Sequence, residues 1–187
     1  MKRAALTAAL VLGVLACERP PFARVVVEDP AGIGAGASAD DAGPDVTLQA
    51  GHAAMSDAEA AAQRHFAKFL SHVLKPDGAT LEGAAVKIAV PTGDGHAEVI
   101  WVTPFAKTSE DGFLGVFANA PREIPGASAG DAIAFDRTQI RDWSFVGQDT
   151  KLYGSFTTRV LLPHIPREQA AQIAALLSEL PVPQDWN

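Results

Sequence analysis

The sequence contains little cysteine, few aromatic residues and few basic residues. A single cysteine among 187 residues cannot form an internal disulfide, which excludes a disulfide-rich scaffold. Aromatic residues make up 7% of the chain, so we expect one domain with a modest core. Acidic residues outnumber basic ones by 22 to 15. We predict no nucleic-acid partner, because phosphate binding requires a basic face.

Long hydrophobic runs are missing as well. The longest uninterrupted stretch of apolar or small residues runs from Ala4 to Ala16, whereas a membrane-spanning helix needs about 20 apolar residues. Lys2 and Arg3 precede this stretch, and a basic start followed by a short apolar run is typical of a secretory signal peptide. We therefore predict that residues 1–16 are a signal peptide.

The only cysteine, Cys17, follows this stretch directly. Val14-Leu15-Ala16-Cys17 resembles the lipobox of bacterial lipoproteins, in which the cysteine thiol receives a diacylglyceryl group and becomes the mature N-terminus. Two or three acyl chains hold a protein firmly on a membrane. The resemblance implies a lipid-anchored protein of the cell envelope, facing the periplasm or on the outer membrane. An ordinary signal peptide or an uncleaved anchor is the alternative.

Residues 17–50 have the composition of a linker. They contain six acids and four prolines, together with a run rich in Ala and Gly from Ala31 to Ala39. Such a composition buries too little apolar surface to offset the entropy of ordering. We expect a flexible tether of about 30 Å, which carries a single domain over residues 51–187.

Two amphipathic helices bracket this domain. Ser56 and Glu59 form a capping-box pattern that predicts the start of the first helix, which ends before Pro76. Its apolar stripe consists of Ala62, Phe66, Phe69, Leu70 and Val73. The second helix begins near Pro166 and ends before Pro181. Its apolar stripe consists of Ile173, Leu176, Leu177 and Leu180.

Between the helices, the apolar pattern changes to a period of two. Short turns separate the extended segments, which favours an antiparallel meander. The segments are Val86–Val90, Glu98–Phe105, Phe113–Asn119, Asp131–Phe135, Asp142–Val146 and Leu152–Leu162, the last of which could end in another structure. The predicted fold class is α+β, with a curled antiparallel sheet of five to six strands flanked by the two helices.

Several short motifs occur in this strand region in a specific order and spacing. They are Glu98-Val99-Ile100-Trp101-Val102, Gly115 with Ala118-Asn119-Ala120-Pro121, Gly130-Asp131 with Ile133-Ala134-Phe135, Ile140-Arg141-Asp142-Trp143, and Gly154 with Phe156-Thr157-Thr158-Arg159-Val160. Through them, residues 86–162 resemble the YegJ-like bacterial family, domain of unknown function 2314. The resemblance implies a small α+β domain, often exported or lipid-anchored, with no established activity.

Two patterns that suggest catalysis or metal binding have simpler interpretations. Residues 126–130 match the G-x-S-x-G pattern around Ser128, but a loop precedes the serine and a strand follows it, where a nucleophile elbow needs a strand and then a helix. His65 and His72 lie about 10.5 Å apart along a helix axis, too far to share one ion. We predict a small-residue turn at Ser128, no metal site and no cofactor.

A candidate binding patch consists of Asn119, Asp142, Trp143, Thr157 and Arg159. An arginine fork beside an acid and aromatic residues could recognise a carboxylate or a phosphate. In the structural interpretation, which we favour, Asp142 forms an ion pair with Arg159, Asn119 caps the turn into Pro121, and Trp143 fills the core.

These observations favour an envelope lipoprotein whose domain binds a ligand or, more readily, another envelope protein. The domain carries 16 acidic and 11 basic residues, which suits a basic or neutral partner. We predict no catalytic residue. One alternative is an envelope hydrolase with a site assembled around Asp142 and Arg159, and another is a structural spacer.

Overall fold

A computed structural model describes residues 44–93 and 95–186. The predicted signal peptide, Cys17 and most of the predicted tether lie outside these residues. In the part of the chain that is described, no helix is both long and apolar enough to cross a membrane.

The first helix, α1, extends over Pro44–Val73. All five residues of its predicted apolar stripe are buried, with an exposed fraction of 9% or less. The capping-box prediction is wrong, because the helix begins at Pro44 and Ser56 lies inside it, exposed to solvent. The alanine-rich sequence around Ser56 explains this, since alanine has the highest helix propensity and lets the helix continue through the serine. The last seven residues of the predicted tether, 44–50, therefore belong to α1.

Six strands form one antiparallel sheet, which confirms the α+β class. The strands are β1 Ala85–Pro91, β2 Ala97–Lys107, β3 Gly112–Phe117, β4 Ala132–Asp136, β5 Ile140–Val146 and β6 Leu152–Gly154. Their order in the sheet is β4-β3-β2-β1-β5-β6. β1 is thus central, while β4 and β6 lie at the two edges.

The connection from β4 to β5 shows that the sheet is curled. Only the turn Arg137–Gln139 separates the two strands in sequence, although β3, β2 and β1 lie between them in the sheet. Four strand spacings in a flat sheet amount to about 19 Å. The four residue steps from Asp136 to Ile140 span at most about 15 Å. The sheet must therefore curl, which brings the end of β4 towards the start of β5.

The concave face of the sheet packs against α1. Phe69 of α1 stacks on Trp143 of β5 with ring centroids 4.8 Å apart, and Phe66 meets Phe113 of β3 edge-on at 6.2 Å. Phe117 of β3 is also buried, while Leu114, which lies between Phe113 and Phe117, is 48% exposed. The alternation of strand residues thus gives the sheet one face that packs on α1.

The C-terminal part agrees with the sequence prediction in part, because the segment from Leu152 begins as a strand and ends in another structure, as the sequence allowed. The strand that starts at Leu152 ends at Gly154, and two helices follow, α2 Phe156–Leu161 and α3 Arg167–Leu176. Of the predicted stripe on the second helix, Ile173 and Leu177 are buried, whereas Leu176 and Leu180 are more than 40% exposed.

The stripe is interrupted because α3 ends at Leu176 and the chain becomes extended. Leu177 then forms a parallel bridge with Leu152, and Ser178 N–H donates to the Leu152 carbonyl oxygen at 3.0 Å. Gly154 N–H donates to the Pro181 carbonyl oxygen at 2.6 Å. The segment after α3 therefore covers the outer edge of β6.

Candidate functional site

Asp142 lies fully buried where β5 meets α2. Trp143 N–H and Phe156 N–H donate to its Oδ1 at 2.8 and 3.2 Å. Thr157 donates to Oδ2 twice, from its N–H at 2.8 Å and from its hydroxyl at 2.7 Å. Ser155, which precedes α2, is in the left-handed conformation and provides no side-chain cap. The Asp142 carboxylate therefore supplies the N-terminal cap of α2 from a different strand.

Burial and hydrogen bonding act on this carboxyl group in opposite directions. Burial raises the pKa of Asp142 above its ordinary value, and it is the largest influence. The hydrogen bonds from Thr157 and Trp143 and the positive charge of Lys87 lower the pKa. Lys87 is the cross-strand partner of Asp142 on β1 and is 9% exposed. With four donors, the carboxylate has its hydrogen-bonding capacity filled by the protein.

Arg159 lies near Asp142 but donates to other groups. Its Nε donates to the Gly154 carbonyl oxygen at 3.0 Å, and its two terminal nitrogens donate to Ser178, at 2.9 Å to the carbonyl oxygen and at 3.2 Å to the hydroxyl. Within the described part of the chain, no ion pair joins Arg159 to Asp142. Burial lowers the pKa of Arg159, and the more distant charge of Asp142 raises it. The ion pair expected from the sequence is thus replaced by a link between β6, α2 and the segment after α3.

Of the other two residues of the predicted patch, Trp143 is next to Asp142 on β5 and Asn119 lies elsewhere. Trp143 is 0% exposed, and its indole N–H donates to the Ala62 carbonyl oxygen at 2.8 Å, so it fills the core as the structural interpretation expects. Asn119 follows β3 beside β2, because Ala118 N–H donates to the Trp101 carbonyl oxygen. β2 is two strand positions from β5, or about 10 Å. The structure brings Asp142 and Thr157 together and leaves Asn119 elsewhere.

Ser128, His65 and His72, the other residues considered from the sequence, contact groups of the protein itself. Ser128 is in the loop between β3 and β4, where its N–H donates to Asp131 at 2.7 Å. The ring of His65 stacks on Phe156 with centroids 6.1 Å apart, and the ring of His72 lies 4.8 Å from that of Phe145. Across residues 44–93 and 95–186, no three His, Cys, Asp or Glu side chains are grouped as metal ligands would be.

A separate cleft of about 720 Å³ lies between α1 and the turn that joins β4 to β5. Sequence reasoning missed it. Five charged residues line it, namely Glu59, Asp111, Asp136, Arg137 and Arg141. The curl of the sheet makes this cleft, because it places the turn Arg137–Gln139 opposite the helix.

The two arginines that line this cleft have different surroundings. The Arg137 guanidinium is exposed and lies 5.4 Å from the ring centroid of Phe66, a core residue of α1. The Arg141 Nε is 3.8 Å from Oε2 of Glu59, and a terminal nitrogen of Arg141 donates to the Thr138 carbonyl oxygen at 2.8 Å. Arg141 is therefore held in place by Glu59 and Thr138. Arg137 is exposed to solvent, and its guanidinium lies over the ring of Phe66.

The turn that carries Arg137 is rigidly built. Asp136 accepts a hydrogen bond from Thr138 N–H at 2.7 Å, and the Gln139 side chain accepts one from Asp136 N–H at 3.0 Å. The hydroxyl of Thr138 also donates to Asp136, and this bond is the largest of the effects that lower the pKa of Asp136. Asp136 and Gln139 form a capping box, the one signal in the sequence that could have located this turn.

The fold and these sites define a class of protein. It is a small α+β domain in which a curled antiparallel sheet wraps one long helix, with a buried carboxylate cap inside and a polar cleft beside the middle of the helix. The chain belongs to the DUF2314 family of uncharacterized proteins conserved in bacteria, whose family model matches residues 52–176. This confirms the family resemblance, and the match includes α1 from residue 52 onward and all of α3, which lie beyond the strand motifs.

A curated relative supports the same assignment. The chain is 33% identical over 124 residues to the uncharacterized protein YegJ of Escherichia coli strain K12, a match that covers 66% of this chain and 77% of that protein. No solved structure matches the chain.

Proposed function

We propose that this protein is a lipid-anchored protein of the bacterial cell envelope whose domain binds another protein through the cleft between α1 and the β4–β5 turn. The observation that carries the proposal is the cleft itself. Its volume of about 720 Å³ lies within the range of ligand-binding clefts. Arg137 is an exposed residue there, and its guanidinium lies over the ring of the buried Phe66, which leaves its charge available to recognise a partner's acidic side chain.

The mixed charge of the cleft favours a protein over a small anion. Three carboxylates and two guanidinium groups line it. A phosphate or a dicarboxylate would meet repulsion from Asp111 and Asp136, whereas a polar protein segment can place opposite charges against both signs. Electrostatic complementarity of this kind mainly supplies specificity.

The geometry of Asp142 does not support the hydrolase alternative. A general acid or base must reach the proton that it transfers. The Asp142 carboxylate is 0% exposed and accepts four hydrogen bonds from the protein, and none of its neighbours in the predicted patch lines the cleft. Its position supports a structural role within a binding domain.

The proposed anchor rests on the sequence alone. A signal peptide over residues 1–16 and lipidation of Cys17 would anchor the domain in the cell envelope, facing the periplasm or on the outer membrane. The tether would allow the domain to reach a partner at a distance from its anchor.

In-cell crosslinking of the full-length, natively processed protein tests the binding role. We would purify the protein in mild detergent after crosslinking and quantify the attached proteins by mass spectrometry, comparing the wild type with Arg137→Gln. We expect a stoichiometric envelope protein whose yield falls about tenfold in the variant, because Arg137 loses both charge and stacking.

Arg167→Gln is the matched control, since Arg167 is an exposed residue at the start of α3, away from the cleft. It removes the same charge and should leave the yield unchanged. Equal yields from the wild type and Arg137→Gln would contradict the proposal that the cleft binds the partner.

A further inference from the structure

The two edge strands of the sheet, β6 and β4, differ in whether another segment covers them. The outer edge of β6 is covered by the segment after α3, through the bridge between Leu152 and Leu177 and the hydrogen bond from Ser178. The edge formed by β4 has no such cover among the described residues. Uncovered edge strands can pair with another extended chain, and proteins usually block them with proline, lysine, a bulge or a covering segment.

The pairing of β4 with β3 shows which backbone groups face outward. Phe117 N–H donates to the Asp131 carbonyl oxygen, and Arg137 N–H donates to the Asp111 carbonyl oxygen. In an antiparallel ladder the residues that bond to one neighbour alternate with those that face away from it. Ala132 and Ala134 therefore direct their N–H and carbonyl groups away from β3, and within residues 44–93 and 95–186 no protein group accepts or donates to them.

The side chains along this edge leave room for another strand. Ala132 and Ala134 are exposed and have only a methyl group, while Ile133 and Phe135 point towards the core, half-buried and buried. The register with β3 is continuous from Gly112 to Val116, without a bulge. Along Ala132–Phe135 there is no proline, no charged residue and no bulge, and the charged Asp136 lies at the end of the strand.

The charges around the edge select the occupant. Asp131 and Asp136 border β4 at its two ends, and Asp111 lies beside the Asp136 end, where Gly112 pairs with Asp136. An extended partner can place basic residues opposite both Asp131 and Asp136, whereas a second copy of the chain, paired antiparallel about Ala134, would place Arg137 opposite Asp131 and only Ala132 opposite Asp136. Like charges in adjacent strands are destabilising, and basic residues at these positions are favourable.

We infer that β4 is a strand-addition site for an extended, basic segment of a partner protein, which pairs with the outward groups of Ala132 and Ala134. The inference rests on the proposed binding function and specifies how the partner is held. Asp136 at the end of β4 and the next two residues, Arg137 and Thr138, line the cleft, so a segment paired along β4 leads directly towards it. In strand addition the backbone hydrogen bonds supply affinity and the side chains supply specificity.

Amide hydrogen exchange on the full-length, natively processed protein in detergent tests this directly. The probe is an acetylated octapeptide of alternating Lys and Val, and the matched control is the same peptide with Glu in place of Lys. We expect the Lys peptide to slow amide exchange selectively at Ala132 and Ala134. The Glu peptide should bind at least about tenfold more weakly than the Lys peptide.

Ala134→Pro provides the structural control. Proline is tolerated on an edge strand whose N–H faces outward, so this variant should keep the melting behaviour of the wild type while it loses the outward donor. We expect about tenfold weaker binding of the Lys peptide, with unchanged binding by Ala134→Ser, which keeps the backbone. Should the proline variant not fold, Ala134→Lys keeps the backbone intact and should weaken the Lys peptide by charge repulsion.

Three results would overturn the inference. One is wild-type affinity of both Ala134→Pro and Ala134→Lys for the Lys peptide. Another is protection of the Ala132 and Ala134 amides in the free protein, which would show that the chain itself or a second copy occupies the edge. The third is equal binding of the Lys and Glu peptides. If any of these occurs while Arg137→Gln still reduces crosslinking, only strand addition fails and the cleft proposal stands.

Discussion

A buried carboxylate is stable at Asp142 because two of its four donors are backbone N–H groups at the start of α2, a helix that would otherwise lack a cap. The first N–H groups of a helix have no partner inside the helix. Phe156 and Thr157 meet that need by donating to Asp142. The sequence suggested that Asp142 is important but proposed Arg159 as its partner. Arg159 instead donates to Gly154 and Ser178, an arrangement that depends on the path of the chain after α3.

Asp142→Ala is expected to lower the free energy of unfolding by about 2–4 kcal/mol. The substitution leaves several buried donors of α2 without an acceptor, and each costs about 1–3 kcal/mol, partly relieved by entering water. Chemical denaturation at neutral pH measures the change. Asp57→Ala removes an exposed carboxylate on α1 and should change stability by less than about 0.5 kcal/mol. Equal effects of the two substitutions would contradict the capping role.

The raised pKa of Asp142 predicts a pH dependence of stability. Between the ordinary value of about 3.9 and the raised value, the folded state binds more protons at this group than the unfolded state does. Stability from this group is therefore lost as the pH rises through that interval. We expect the wild type to lose stability relative to Asp142→Asn as the pH increases above about 4, measured by denaturant titrations at several pH values. A difference that grows in favour of the wild type would show that the hydrogen bonds outweigh burial.

At the scale of elements, the junction of β6 and α2 depends on backbone geometry that only glycine allows. Gly154 has a φ of 76°, and a Cβ there would collide with the carbonyl oxygen and ring of Trp143. Gly115 is similar, since a Cβ there would collide with Val102 across the sheet. Both glycines occur in the family motifs. Their presence was visible in the sequence, while the contacts that require them appear only when the strands are paired.

Gly154→Ala is expected to reduce the free energy of unfolding by about 2–4 kcal/mol, because it combines a left-handed backbone with a steric clash against the buried Trp143. Gly51→Ala is the opposite case, since Gly51 lies inside α1 and a Cβ added there would meet no atom within 4 Å. Alanine there should raise the stability by up to about 1 kcal/mol. Thermal melting of both variants checks the predicted opposite signs, and a neutral Gly154→Ala would contradict the packing argument.

At the scale of the whole molecule, the curl of the sheet decides what the surface can bind. It allows the three-residue turn between β4 and β5, which in turn faces α1 across the cleft. It also leaves β4 as an uncovered edge next to that cleft. None of the five residues of the predicted patch lines this region, because its location follows from strand order rather than from any local pattern.

Membrane attachment is the prediction that concerns the whole chain. Cys17→Ser should release the processed protein from membranes, because lipidation requires the thiol and the acyl chains supply the membrane affinity. Fractionation of cells into soluble and membrane parts measures this, with the wild type as reference. A variant that is cleaved after the signal peptide and still sediments with membranes would contradict the lipoprotein prediction.

The sequence by itself determined the features that depend on local periodicity: the buried stripe of α1, the alternating strands and the family motifs. These could be predicted because neighbouring residues alone set the period of a helix or a strand. The start of α1 is predicted wrongly from the sequence, because the high helix propensity of the alanines outweighs the capping-box signal at Ser56. The sequence leaves the end of the last strand open, since the packing of later segments decides it. Only the tertiary structure decided the partners of Asp142, the cleft at Arg137 and the open edge of β4, because each joins residues that are far apart in the chain and meet only when the sheet curls around the helix.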